Sequence, residues 1–100
     1  MKAKGSNAER ELVSKFWKEG FASIRVAGSG SSRFPCPDVL ASNGTRTIAV
    51  EAKATKKDIQ YFRENQITEL IEFSRTFGAE PILAVKFSSK WTFFELFKLR

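Results

Sequence analysis

Apolar residues in this chain recur with two periods, and the switches between them mark out seven elements. Leu12, Val13, Phe16 and Trp17 fall at helical spacing. The run SNAERELVSKFWKEG therefore predicts a first helix, capped by Ser6 with Glu9 three residues on in a capping box, and stopped at Gly20. FASIRVAG reads as a strand centred on Ile24 and Val26, and GSGSSRFPCP as a loop. Two strands follow, about 38–42 and 46–54, turning at Asn43-Gly44, the dipeptide that type I′ hairpins prefer. TKKDIQYFREN is polar and ambiguous. Ile67, Leu70, Ile71, Phe73 and Phe77 make a wide apolar arc, which predicts a second helix closed by Gly78. PILAVKF is a buried strand and WTFFELF a final one. Residues 1–5, MKAKG, read as a flexible basic tail. The order α-β-β-β-α-β-β, without repeats or linkers, predicts one α/β domain over residues 1–100.

Strand alternation gives the hairpin its chemistry. With Asn43 and Gly44 as the central turn residues, Ser42 faces Thr45, Val39 faces Ile48 and Asp38 faces Ala49. Asp38, Glu51 and Lys53 then share the side opposite Val39, Ile48 and Val50. Asp38 and Glu51 become diagonal neighbours, roughly 7–8 Å apart at the backbone. That gap suits two carboxylates leaning on one hard cation. Mg²⁺ takes oxygen ligands, keeps several waters, and needs few carboxylates beside a substrate phosphate. Lys53 is placed to hold an attacking water or to neutralise charge developing on phosphorus. The reaction expected of such a site is phosphodiester hydrolysis. The competing account is a solvated strand face with a weak surface ion pair. The proline before Asp38, the hairpin that sets it beside Glu51 and the basic chain favour the metal site.

Charge narrows the partner. Seventeen Lys and Arg against eleven Asp and Glu leave +6, which favours a polyanion, nucleic acid first. Lys53, Lys56, Lys57 and Arg63 follow the catalytic strand, and Arg25 and Arg33 flank the loop before it. Gathered on one face, they would hold DNA through its phosphates, without reading bases. The loop at 28–33 lacks the lysine of a phosphate-binding P-loop. Its hydroxyls, Ser29, Ser31 and Ser32, are suited to donate to a phosphate. Histidine is absent, which excludes Ser-His-Asp triads and His-rich zinc sites. One cysteine, Cys36, cannot form an internal disulfide, so the expected compartment is reducing, the cytoplasm of a cell or of a virus-infected host. No apolar run approaches the ~20 residues of a membrane span, so no membrane partner is expected. Phe73 and Phe77, with Phe93, Phe94 and Phe97, exceed what so small a core absorbs, and predict a patch buried in a two-fold homodimer.

Pro37-Asp38, twelve intervening residues, then Glu51-Ala52-Lys53 resembles the PD-(D/E)-x-K nuclease superfamily. KGSNAERELV, GFASIRVAGSGSS, PDVLA, EAKATKKD and LIEFSRTFGA together resemble the archaeal-type Holliday junction resolvases, in order over about residues 4–97. The resemblance implies a restriction-endonuclease-like core, a mixed five-stranded sheet flanked by helices. It implies Mg²⁺, with Mn²⁺ as a candidate substitute, and a homodimer that nicks opposed strands of a four-way junction. It places Asp38 and Glu51 as metal ligands, Lys53 as the catalytic lysine and Glu9 as a third acidic group, in catalysis and at the metal. It adds Ser29 as a catalytic serine, with Ser31 and Ser32 close enough to share that assignment. Arg10 and Arg25 fall at basic positions beside the site, for phosphate. From spacing alone, Glu9 reads as a helix cap; only the resemblance makes the site role its equal. Two rival functions stand: another nuclease of the superfamily, acting on duplex, single-stranded or flap DNA, and a non-catalytic basic DNA-binding module.

Overall fold

The computed structural model describes residues 2–28, 33–55 and 62–96, with side chains from Asn7 onward. Seven elements run as α1 (Lys2–Lys18), β1 (Ala22–Arg25), β2 (Val39–Ser42), β3 (Thr47–Thr55), α2 (Glu64–Phe77), β4 (Glu80–Phe87) and β5 (Lys90–Glu95). The strands form a single five-stranded sheet in chain order. Only β3 and β4 pair in parallel; the other neighbours are antiparallel. A parallel pair needs a crossover, and α2 supplies it. The mixed sheet flanked by helices is the α/β architecture predicted from the sequence.

The apolar pattern sorts side chains to two cores. On one face, Leu12 and Phe16 of α1 pack over Val39, Ala41, Ile48, Val50, Ile82 and Ala84. On the other, Leu70 of α2 joins Ala49 and Leu83, with Leu40 and Phe73 at the margin. The middle strands are covered on both sides, which explains their unbroken runs at 48–50 and 81–85. Helix α2 begins where the Gln66 side chain accepts from the Arg63 N–H at 2.8 Å. It ends at Gly78, whose φ of +88° lets its N–H turn back to the Ser74 carbonyl at 2.9 Å. Gln66 is thus a cap residue. Among the described residues no helix is long and apolar enough to cross a membrane.

Two local expectations are corrected. Helix α1 starts at Lys2, so Ser6 lies inside it and the Ser6–Glu9 capping box does not form. Lys2, Ala3 and Lys4 carry no helix-breaking feature and extend the helix through the segment read as a tail. The hairpin turn is also longer than two residues. Asn43 accepts at its side-chain oxygen from the N–H groups of Thr45 (2.9 Å) and Arg46 (2.7 Å), making an Asx-type turn over 43–46. Val39 therefore pairs with Val50, Leu40 with Ala49 and Ala41 with Ile48, two residues away from the predicted register. A shift of two preserves the faces and changes the neighbours.

Candidate active site

The shifted register pairs Val39 with Val50, so Asp38 enters the sheet beside the stretch of β3 that carries Glu51. Asp38 precedes the first residue of β2 and is held from three sides. Its N–H donates to the Val50 carbonyl (2.9 Å), its carbonyl accepts from the Val26 N–H (2.8 Å), and its Oδ2 accepts from the Ala52 N–H (2.9 Å). The carboxylate accepts from a β3 N–H in the way a backbone carbonyl of the neighbouring strand would. Pro37 beside it is fully buried, which anchors the turn into the site.

Glu51 is half-buried, and burial pushes its carboxyl up to about 8; the Asp38 charge adds to this, and Lys53 opposes it. Glu9 and Glu69 raise it further. Glu9, on α1, is itself raised by burial and then by Asp38, against the lowering effect of Arg25. The Arg25 guanidinium donates to Glu9 Oε1 at 3.3 Å, and both side chains are mostly buried. Asp38, Glu51, Lys53 and, from α1, Glu9 therefore gather around the start of β2 and the middle of β3. A buried acid held protonated beside other acids is a destabilising arrangement that a cation would relieve.

The donor set fits a hard, oxygen-seeking ion such as Mg²⁺. Among the described residues, no three acidic side chains close around a single point as a complete metal cage. Of the expected trio of Glu9, Asp38 and Glu51, Glu9 has its carboxylate engaged by Arg25. Asp38 and Glu51 supply the two carboxylates that an ion completed by water and phosphate requires.

The other predicted positions divide. Arg10, Arg33 and Arg63 are exposed, and Arg33 lies over the Phe34 ring at 5.9 Å. Arg25 faces Glu9 instead of open solvent. Ser29, Ser31, Ser32, Lys56 and Lys57 fall outside the described residues, as does Phe97. Phe73 and Phe77 stack at 5.0 Å, with Phe73 half-buried and Phe77 54% exposed. They line a groove of about 350 Å³ with Pro35, Glu72 and Thr76. Phe93 lies on the opposite face, against Phe16 and Trp91, so the aromatics do not form one patch. Sequence reading missed Glu69. Its only signal is that it follows Gln66 by three residues, one helical turn along α2.

The sequence pattern of the archaeal Holliday junction resolvase (Hjc) family matches residues 1–100. The chain belongs to this family. It is 48% identical over 95 residues to the crossover junction endodeoxyribonuclease Hjc of Archaeoglobus fulgidus, covering 94% of this chain and 70% of that protein. It is 42% identical over 85 residues to the crossover junction endodeoxyribonuclease Hje of Saccharolobus islandicus, covering 83% of this chain and 63% of that one. The solved structure of Archaeoglobus fulgidus Hjc superimposes with a TM-score of 0.87 at 46% identity, over 90% of this chain and 74% of the other. This resolvase-family chain thus spans roughly two-thirds of the length of its curated relatives.

Proposed function

We propose that this chain is an endonuclease that resolves four-way DNA junctions by hydrolysing phosphodiesters in opposed strands, with Mg²⁺ as cofactor. Family membership supports the activity. The observation that carries the chemistry is the gathering of Asp38, half-buried Glu51 and Lys53 around the start of β2 and the middle of β3. Mg²⁺, held by Asp38 and Glu51, would polarise the phosphate and supply an activated water.

The chain's own residues do the rest. The Ala52 N–H fixes the Asp38 carboxylate, so one ligand is preorganised. Lys53 orients the water or offsets the charge gathering on the phosphate. Glu9 stands beside these groups with Arg25 on its carboxylate, where it can take up a proton from the attacking water. Ser29, or its neighbours Ser31 and Ser32, would donate to the phosphate, and Arg10, Arg33, Arg63, Lys56 and Lys57 would bind the DNA backbone. Such contacts recognise branch shape and leave sequence unread.

A homodimer completes the reading. Two symmetry-related sites are needed to cut opposed strands together, and Phe73 with Phe77 offers an apolar surface for the two-fold contact. The cytoplasm is the compartment this reading requires.

The test is incubation of the chain with a labelled four-way junction, a linear duplex and a flap, with and without Mg²⁺, at fixed salt. Paired nicks in the junction, dependent on the ion and absent from the duplex, are expected. Equal cutting of all three substrates would point to a general nuclease of the same fold. Binding without cutting under any divalent ion would leave only a DNA-binding module.

A further inference from the structure

Helix α1 carries Glu9 to the site, yet the apolar contacts beneath it do not fix how the helix is rolled about its axis. Ala8, Leu12 and Phe16 seat it on the sheet, and such contacts are non-directional. Two polar anchors supply direction. Glu9 reaches toward β1, where it meets Arg25. Glu11 reaches the other way: its Oε1 accepts from the Lys86 ammonium on β4, and its Oε2 from the Trp91 indole N–H on β5 at 3.2 Å. Two helical residues apart is roughly 200° around the axis, so the anchors leave opposite flanks of the helix. They land on opposite ends of the strand order.

We infer that Glu11, with Lys86 and Trp91, is a positioning device for the site: it sets the roll of α1 and so holds Glu9 in place beside Arg25. The inference rests on the nuclease reading for its catalytic consequence. Its structural core does not. The cluster has features of a set geometry. The Lys86 side chain is 21% exposed, and the Trp91 ring is stacked on Phe93 with planes only 13° apart. The indole N–H is therefore delivered to Glu11 at a fixed point. Glu11 itself is held ionised by Lys86 and Trp91, which lower its carboxyl from the usual range. Neither Lys86 nor Trp91 lies among the acids, so the cluster acts only through the helix.

The experiment is a double-mutant cycle on single-turnover junction cleavage, using the full chain and the variants Glu11→Ala, Trp91→Phe and Glu9→Gln. Trp91→Phe keeps the stacked ring and removes only the N–H. Both Glu11→Ala and Trp91→Phe are expected to slow cleavage, Glu11→Ala by roughly tenfold, while junction affinity stays unchanged; misplacement of a reacting group by ~1 Å can cost up to about 10²-fold. In the Glu9→Gln background Glu11→Ala should add nothing, because the effect passes through Glu9. A rate unchanged by Glu11→Ala, full activity in Glu9→Gln, or effects that multiply in the double variant would each overturn the inference. A second readout is independent of turnover: the ¹³C shift of the Glu9 carboxyl carbon should move in Glu11→Ala and in Trp91→Phe. An unmoved resonance would count against the device even if the chain proved not to cut junctions. Failure of the wild-type chain to cleave, with the resonance moving as expected, would instead isolate the nuclease reading as the error.

Discussion

One strand, β3, joins two regions that handle charge in opposite ways. At its start, Arg46 grips Glu80 through two 2.9 Å hydrogen bonds and reaches Glu95 at 3.3 Å, tying the β2–β3 turn to β4 and β5. One guanidinium there is shared by two carboxylates, each within hydrogen-bond reach. At its middle, Glu51 is pushed up to about 8 among Asp38, Glu9 and Glu69, with Lys53 as the opposing charge. The first region has the form of a stabilising clamp. The second holds acids where they cost stability and where a metal and a phosphate can use them. Unfavourable electrostatics gathered at one place is the pattern expected where function has displaced stability.

The sharpest way to break the comparison is to neutralise one residue from each region. Glu51→Gln should lower junction cleavage with Mg²⁺ by on the order of 10³-fold or more, since it removes a ligand at the centre of charge stabilisation. Junction binding should survive, as measured by mobility shift at the same salt. The same variant should melt no lower than the parent at pH 8. Undiminished cutting by Glu51→Gln would remove the site from the functional end of the comparison.

A second test addresses the partner surface. Phe77 stands 54% exposed and contributes little to the core that Leu70 and Leu83 build. Phe77→Asp should weaken a homodimer by at least about tenfold, as expected when an apolar anchor is replaced by a charge. Its far-UV spectrum should be unchanged. Sedimentation at micromolar concentration reads the result, and a dimer that persists would relocate the interface away from α2.

The pH dependence of stability sharpens the electrostatic half of the contrast. Between about 4.5 and about 8, the unfolded chain has released the Glu51 proton that the folded chain retains. Folded stability therefore falls as pH rises through that window and levels off above it. Glu11 has the opposite sign: its carboxyl is depressed, so its contribution is present above the unfolded value and lost as pH falls through the folded one. Thermal melts in a chelator should show a decline from pH 5 to pH 8 that Glu51→Gln flattens. Mg²⁺ should offset the decline most at the alkaline end, where the ligand is ionised. A decline identical in Glu51→Gln would assign it to other groups.

How much of this was legible in the sequence depends on what carried each signal. Period-2 alternation placed Asp38, Glu51 and Lys53 on one face, because parity survives any even shift of register. The register itself was misread. Asn43-Gly44 favours a two-residue turn, but the Asn43 side chain closes a four-residue one through Thr45 and Arg46. Arg46 is also required outside the strand to reach Glu80 and Glu95, partners 34 and 49 residues away. No local pattern reports contacts of that separation. Glu9 shows the same limit. Its spacing from Ser6 fits a cap, whereas its partner, Arg25, is set by packing of α1 on β1. The arc of α2 was read correctly because burial of Leu70 and closure at Gly78 are local facts.

The smallest effect expected is at the start of β3, and its form tells whether geometry or mere charge holds the clamp. Arg46→Ala removes both carboxylate contacts and should cost about 1 kcal/mol, toward the upper range for exposed pairs because the contact to Glu80 is a two-bond fork. For a domain of 100 residues that is a fall in Tm of roughly 4–8 °C. Arg46→Lys keeps the charge but cannot present two parallel N–H donors, so it should recover less than half of the loss. Cleavage of the junction should be unaltered in both, since the clamp lies five residues from Glu51 along the chain and touches none of the acids of the site. If Arg46→Lys restored the full melting temperature, the fork would be incidental and the region would be held by screened charge alone. Adding 0.5 M salt, roughly a 4 Å screening length, would then erase the difference between Arg46→Ala and the parent. Survival of that difference in salt would return the stabilisation to the hydrogen-bonded geometry.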